Sequence, residues 1–313
     1  ILYRLVGSEM CIRDSSAAPK LMVFPGFGRP PALYFLWILP KNLFSRICGF
    51  VANLKLPPFI LQRLIRLFCH FYPIDLNEAE QSVEDFDCFN AFFTRKLRQG
   101  VRPLAEDPNA LLCPVDGTLG EYGIIRDGNL LQAKGLEYRL EDLLQDPERK
   151  DLYDGGHYIT LYLAPHNYHR IHSPAEGQVR EFAYVPGDLW TVSELGVMHV
   201  PGLFARNERI LTYLQTKAGE CAIIKVGATV VGKIRVCYHE QVSNLPGATF
   251  SLNRLETPWH VERGGEIGVF ELGSTVICLF QPGQVEFDSL NLGQTVYLGQ
   301  SLGKILDNTT SLN

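Results

Sequence analysis

The sequence predicts an α+β protein that is mainly β, with a β-sandwich or barrel-like core preceded by N-terminal amphipathic helices. Three observations carry that expectation. After Pro103, short β-branched and aromatic runs alternate with Gly and Pro turns almost to the end. Several segments also share one rhythm, a turn residue leading into a strand: Pro114 to Gly117, Pro174 to Gly177, Gly227 to Gly232, Gly273 to Ile277 and Gly293 to Gly299. The repeat is too irregular for a solenoid. Between Leu33 and Tyr72, by contrast, apolar residues recur every three or four positions, as in Leu33, Leu36, Trp37 and again Ile60, Leu61, Leu64, Ile65, Phe68.

With 313 residues, 46% of them hydrophobic, the chain has room for one large domain, or a domain and an appendage, with a well-buried core. A formal net charge of −5 argues against a nucleic-acid partner, which requires a cationic surface. The 8 cysteines include no C-x-x-C pair and read as reduced thiols of a cytoplasmic compartment. No uncharged apolar run reaches spanning length, because Lys41 interrupts the longest candidate.

In chain order, residues 1–20 lack both an initiator Met and a signal-peptide layout, and are read as a mis-called or foreign extension. Residues 21–74 form the helical region, divided by Pro57-Pro58. No acidic residue occurs between Asp14 and Asp75, while Lys20, Arg29, Lys41, Arg46, Lys55, Arg63 and Arg66 are basic. Apolar stripes flanked by cations fit an interfacial helix pair on an anionic bilayer; a helical hairpin packed on the protein's own core is the alternative. Residues 75–313 are the β-rich domain, opening with an acidic stretch from Asp75 to Asp87 and a short amphipathic helix over Phe89 to Leu97. A helical interruption is expected at Leu140 to Leu144. The apolar stretch from Gly196 to Phe204 reads equally as a second insertion loop or a core-packed connection. Two strands, Ile267 to Phe270 and Thr275 to Phe280, flank a turn centred on Gly273-Ser274-Thr275, in the manner of a hairpin.

Three places carry reactive side chains. Asp116 lies in a turn, where an aspartate ordinarily bonds its own backbone. His166, His169 and His172 crowd into seven residues. Their spacing suits zinc only on a helix, which Pro165 and Pro174 oppose, and acid–base work is the better reading. Ser274 completes a chain order of acid, base and hydroxyl compatible with an activated nucleophile.

Several blocks together resemble the bacterial-type phosphatidylserine decarboxylase proenzyme family, from about Phe35 to Lys304. They are Phe89 to Phe93, Pro114 to Gly117, Leu131 to Gly135, Tyr168 to His172, Tyr184 to Trp190, Phe204 to Arg209, Val226 to Gly232 and Leu272 to Thr275. The resemblance implies self-cleavage at Gly273-Ser274 into chains 1–273 and 274–313 that stay associated. In that chemistry Ser274 attacks the Gly273 carbonyl, His172 takes its proton and Asp116 holds the imidazole. The serine becomes an N-terminal pyruvoyl group, the cofactor, with no metal; it forms a Schiff base with phosphatidylserine and releases CO2 to give phosphatidylethanolamine. His169 is the implied proton donor, against a purely structural role bonded to a neighbouring strand. The implied setting is peripheral, on the cytoplasmic side of the inner or cell membrane, with phosphatidylserine and an anionic surface as partners and a homodimer left open. Two other readings are a serine hydrolase, which lacks its G-x-S-x-G elbow here, and a barrel-sandwich carrier module, which lacks a lysine at the equivalent turns.

Overall fold

A computed structural model describes residues 39–306 except Lys134, Val231, Gly232 and Gly273. The expected extension 1–20, residues 21–38 of the helical region and Gly273 itself therefore lie outside the described residues.

An antiparallel sheet of eight strands dominates the molecule. Its spatial order is β12 (Ser251–Val261), β7 (Gly177–Val185), β8 (Arg209–Thr216), β9 (Gly219–Val226), β14 (Ser274–Phe280), β5 (His157–Leu163), β2 (Gly117–Ile124) and β16 (Thr295–Val296). One face is covered by two smaller sheets, β1 (Ala110–Leu112) with β17 (Ser301–Ile305) and β15 (Val285–Phe287), and β11 (His239–Val242) with β10 (Lys233–Val236), β13 (Glu266–Glu271) and β6 (Arg170–His172). The opposite face packs against the hairpin β3 (Asn129–Ala133) with β4 (Leu136–Arg139) and several short helices.

Strand β14 explains why both faces must be covered. Its sequence is apolar without alternation, and every residue in it is buried. Val276, Cys278 and Phe280 join one core with Ile234, Ile267 and Phe270, while Ile277 and Leu279 join the other with Leu143, Leu203 and Phe204. A strand buried on both faces reads as a continuous hydrophobic run, and its backbone groups need ladder partners on both edges. It has them: β5 pairs along its whole length, and β9 from Thr275 to Phe280.

The two strands flanking Gly273 form as expected, but they do not pair as a hairpin. Strand β13 bonds β10 and β6 in the four-stranded sheet, whereas β14 enters the centre of the large sheet. The chain thus switches sheets between Glu271 and Ser274. Both edges of β14 are taken by β5 and β9, so none is left for β13.

Helices α1 (Lys41–Ala52) and α2 (Pro58–Phe71) supply the described part of the helical region, and Pro58 starts α2 where its missing N–H is harmless. Leu61 and Ile65 of α2 are buried with Val83, Phe86 and Phe92. Helix α3 is confined to Phe89–Phe93, shorter than expected. The Thr94 hydroxyl donates to the Asn90 carbonyl, and Leu97 then bridges to Ala79, so the chain past Thr94 is extended. Four short helices follow, α4 (Leu140–Leu144), α5 (Pro147–Tyr153), α6 (Glu194–His199) and α7 (Leu203–Arg206). Val197, Leu203 and Phe204 are buried in the second core, so the Gly196 to Phe204 stretch is a core-packed connection and not an insertion loop.

The helix pair keeps a second, outward apolar face. Leu43, Ile47 and Phe50 on α1, with Phe59, Leu64 and Leu67 on α2, are exposed. The cations are less available than their acid-free stretch suggests: Lys55 pairs with Asp87, Arg66 with Glu84, Arg46 with Asn244, and Lys41 lies over the Trp190 ring. Replacing inward Ile65 by Ala should lower unfolding free energy in urea by about 2–4 kcal/mol. The outward substitution Leu64→Ser should change it by no more than about 0.5 kcal/mol.

Candidate active site

Ser274 stands at the sheet switch as the first residue of β14, opposite Leu163 of β5. The preceding Leu272 has φ of 76°, a left-handed conformation that costs a non-glycine residue about 1–2 kcal/mol. Its side chain is anchored by burial with Ala52, Phe93 and Ala228. The Ser274 side chain is buried as well, and its Oγ has no hydrogen-bond partner. A buried hydroxyl in that condition costs about 1–3 kcal/mol. Strain just before the Gly273-Ser274 bond and an unsatisfied hydroxyl just after it converge on one peptide unit.

His172 ends β6, opposite Glu266 at the start of β13, and its N–H bonds the Pro114 carbonyl just before Asp116. Its Nδ1 lies 2.8 Å from the Gly264 carbonyl oxygen. That oxygen can only accept, so Nδ1 carries the hydrogen and Nε2 presents its lone pair. The Tyr168 hydroxyl, 3.1 Å away, donates to that Nε2. Burial pushes the His172 pKa down, partly countered by the Gly264 carbonyl, Glu266 and Asp116. The ring is therefore a neutral imidazole in the tautomer a general base requires.

Asp116 sits in the turn before β2 with its carboxylate buried. Its oxygens accept from Arg102 Nε and Nη2, at 3.0 and 2.8 Å, and from the Leu298 backbone N–H at 2.8 Å. The same guanidinium forks onto Glu78. Neither ring nitrogen of His172 is bonded to Asp116. In this structure the Gly264 carbonyl orients the imidazole, and Asp116 reaches it through space as a negative charge that favours its protonation.

His169 has no exposed surface and stacks on the Phe93 ring with centroids 4.1 Å apart. Its backbone carbonyl accepts from Phe270, while its ring makes no well-aligned hydrogen bond and is met only by the backbone of Ala164 and Pro165. Burial, followed by the nearby Arg95 charge, pushes its pKa down to about 3. His166 is likewise lowered by burial and by Arg95. The segment between β5 and β6 is a turn, so the three histidines do not line one helical face. Among the described residues no group of three or more His, Cys, Asp or Glu side chains is placed to hold a metal ion.

Four participants escaped the sequence reading: Tyr168, Arg102, Arg95 and the Gly264 carbonyl. Tyr168 lay inside a recognised block, but its bond to His172 depends on a turn conformation that spacing does not reveal. Arg102 reads in sequence as one more surface cation, and a backbone carbonyl leaves no sequence signal at all.

Similarity to known proteins bears on this geometry. A family model described as phosphatidylserine decarboxylase matches residues 89–304. A protein of Myxococcus xanthus named phosphatidylserine decarboxylase proenzyme is 42% identical over 269 residues, covering 86% of this chain and 96% of the relative. One of the same name from an Anaeromyxobacter species is 44% identical over 271 residues, with 86% and 96% covered. Another, from Pseudomonas aeruginosa, is 41% identical over 273 residues, with 85% and 94% covered.

The buried His169 predicts a specific pH response. Its folded pKa of about 3 lies below the ordinary 6.5, so in that window the unfolded chain binds a proton that the folded chain lacks. Stability should therefore fall as pH falls through the window, by roughly 2–3 kcal/mol from this group between pH 7.5 and 4.5. Urea denaturation across that range should show a slope that His169→Gln flattens by this amount.

Proposed function

This chain belongs to the phosphatidylserine decarboxylase family, and from that premise we propose that it is a self-processing, pyruvoyl-dependent enzyme that converts phosphatidylserine to phosphatidylethanolamine. The observation that carries the reading is the setting of Ser274: buried, with an unpartnered Oγ, two residues beyond the strained Leu272 at a switch between sheets.

In the proposed processing step, Ser274 Oγ attacks the Gly273 carbonyl carbon and gives up its proton to His172 Nε2. For that to happen, the Tyr168 hydroxyl now on Nε2 must yield its place to Ser274. The peptide C–N bond breaks, leaving an ester on Oγ and a free amine at residue 274. Loss of the Cα proton then expels the Gly273 carboxylate, and water releases the amine as ammonia. The Ser274 site fits a group formed this way, because strand pairing on both edges of β14 holds the new terminus after the bond is cut. Asp116 supports His172 through its negative charge while Arg102 and the Leu298 N–H fix its position.

A terminal pyruvoyl group supplies an electron sink for loss of CO2 from an amino acid. The chain's own part in that second reaction is to exclude water, orient the headgroup and return a proton, and His169 is the residue assigned to the proton. A hydrolase reading is disfavoured because Leu272-Gly-Ser-Thr-Val276 lacks the G-x-S-x-G elbow. The carrier reading is disfavoured because Gly273-Ser274 is not a hairpin tip.

The lipid substrate suits the outward apolar face of α1 and α2. Among the described residues no helix is long and apolar enough to cross a membrane, so a peripheral seat is proposed, with these side chains in the headgroup region and the cytoplasmic leaflet as its side.

Release of CO2 from phosphatidylserine vesicles tests the function. Ser274→Ala and His172→Ala should remain single chains with no release. His169→Ala should still be cut, with turnover reduced by about 10²-fold or more, the scale of a lost general acid. A His169→Ala enzyme of full activity would remove His169 from the reaction. The triple substitution Phe50→Ser, Phe59→Ser, Leu67→Ser should abolish vesicle flotation while leaving chain cutting intact.

A further inference from the structure

We propose that Arg95 is the anion-binding residue of this site and that it takes the phosphodiester of the headgroup, an assignment that rests on the decarboxylase reading above. Arg95 is 5% exposed, yet its Nε and Nη1 have no acceptor. Its one side-chain hydrogen bond runs from Nη2 to the His166 carbonyl at 3.3 Å. The carboxylates in its vicinity, Glu78 and Asp116, are both gripped by Arg102. A buried guanidinium with two idle donors is costly for a folded chain to keep, unless a ligand supplies the missing charge.

The surroundings place that ligand at the reaction site. Phe93, two residues before Arg95, stacks on His169 and packs with Leu272, two residues before Ser274. Arg170, beside His169, donates to the Thr94 carbonyl and pairs with Glu266, which fixes the backbone leading into Arg95. The chain just past α3 therefore sets one buried cation beside the His166–His169 segment, close to the residues that pack on the sheet switch.

Phosphatidylserine offers two anions, and the chemistry selects between them. The carboxylate must shed its charge as CO2 leaves, so a guanidinium clamped on it would favour the ground state over the transition state. The phosphodiester keeps its charge throughout, and the planar fork of arginine suits two of its oxygens. Pairing there has a second consequence. The Arg95 charge is one of the influences holding His169 unprotonated, and neutralising it on substrate entry raises the proton affinity of His169 when a donor is needed.

Binding of soluble glycerophosphoserine and glycerophosphoethanolamine to the full chain carrying Ser274→Ala tests this without requiring the chain to cut itself. Arg95→Gln in that background should weaken both ligands by about 10- to 100-fold, the range for hydrogen bonds to a charged group. Loss confined to glycerophosphoserine would assign Arg95 to the carboxylate and overturn the proposal, as would unchanged binding of both. Ligand-free Tm supplies an independent arm, in which Arg95→Met should melt at a higher temperature because an unpaired buried cation is removed. A lower Tm, or failure to fold, would mark Arg95 as structural and overturn it. Wild-type chain cutting, followed separately, reports on the decarboxylase reading, so the two can fail independently.

Discussion

The structure depends on the burial of one strand on both faces. Because β14 is apolar along its whole length, it must lie between two cores, and it must have ladder partners on both edges. It lies at the centre of the eight-stranded sheet, where β5 and β9 take both of its edges and leave none for β13. The connection between them must therefore cross from one sheet to another within a few residues. Left-handed Leu272 is the mark of that crossing, and the Gly273-Ser274 bond inherits its setting from it. A peptide bond in a relaxed surface turn would have an accessible, solvated serine; this serine is enclosed and unsatisfied.

Around the crossing, each polar group is governed by what burial leaves it to bond. His172 is turned by a backbone carbonyl, so its free lone pair faces a hydroxyl donor. Asp116 spends its oxygens on Arg102 and Leu298, which makes it a fixed charge near the imidazole and not a direct holder of it. His169 and Arg95 have few or no partners, and both sit against α3. Stability is given up at the two positions where a substrate bringing charge and protons would restore the balance, a pattern expected of sites selected for function over stability.

Much of this was legible in the sequence. Strand-rich character after Pro103, the amphipathic spacing of α2 and the interruption at Leu140 follow from local patterns that burial respects. Asp116 and Ser274 lie in turn-and-strand segments of a shared rhythm, His172 in a cluster of three histidines, and the family resemblance joins the three. The pairing of β13 and β14 was misread because a Gly-Ser-Thr turn between apolar runs carries the same local signal whether the chain doubles back or changes sheets. The pairing of β14 with β5 and β9, which comes from distant segments, decides between the two. Arg95 and Arg102 were invisible for another reason: the sequence shows a cation, and only the fold shows whether a carboxylate has been left for it. Two cations of the helical region, Lys55 and Arg66, meet acids that lie beyond the acid-free stretch, which the stretch itself does not show.

The fate of one peptide bond decides the proposed chemistry. Intact-mass measurement of the purified wild-type chain should give two species that divide at Gly273, the smaller lighter than residues 274–313 by one ammonia and blocked to N-terminal sequencing. A single uncut chain, or a smaller species retaining an N-terminal serine amine, would contradict it.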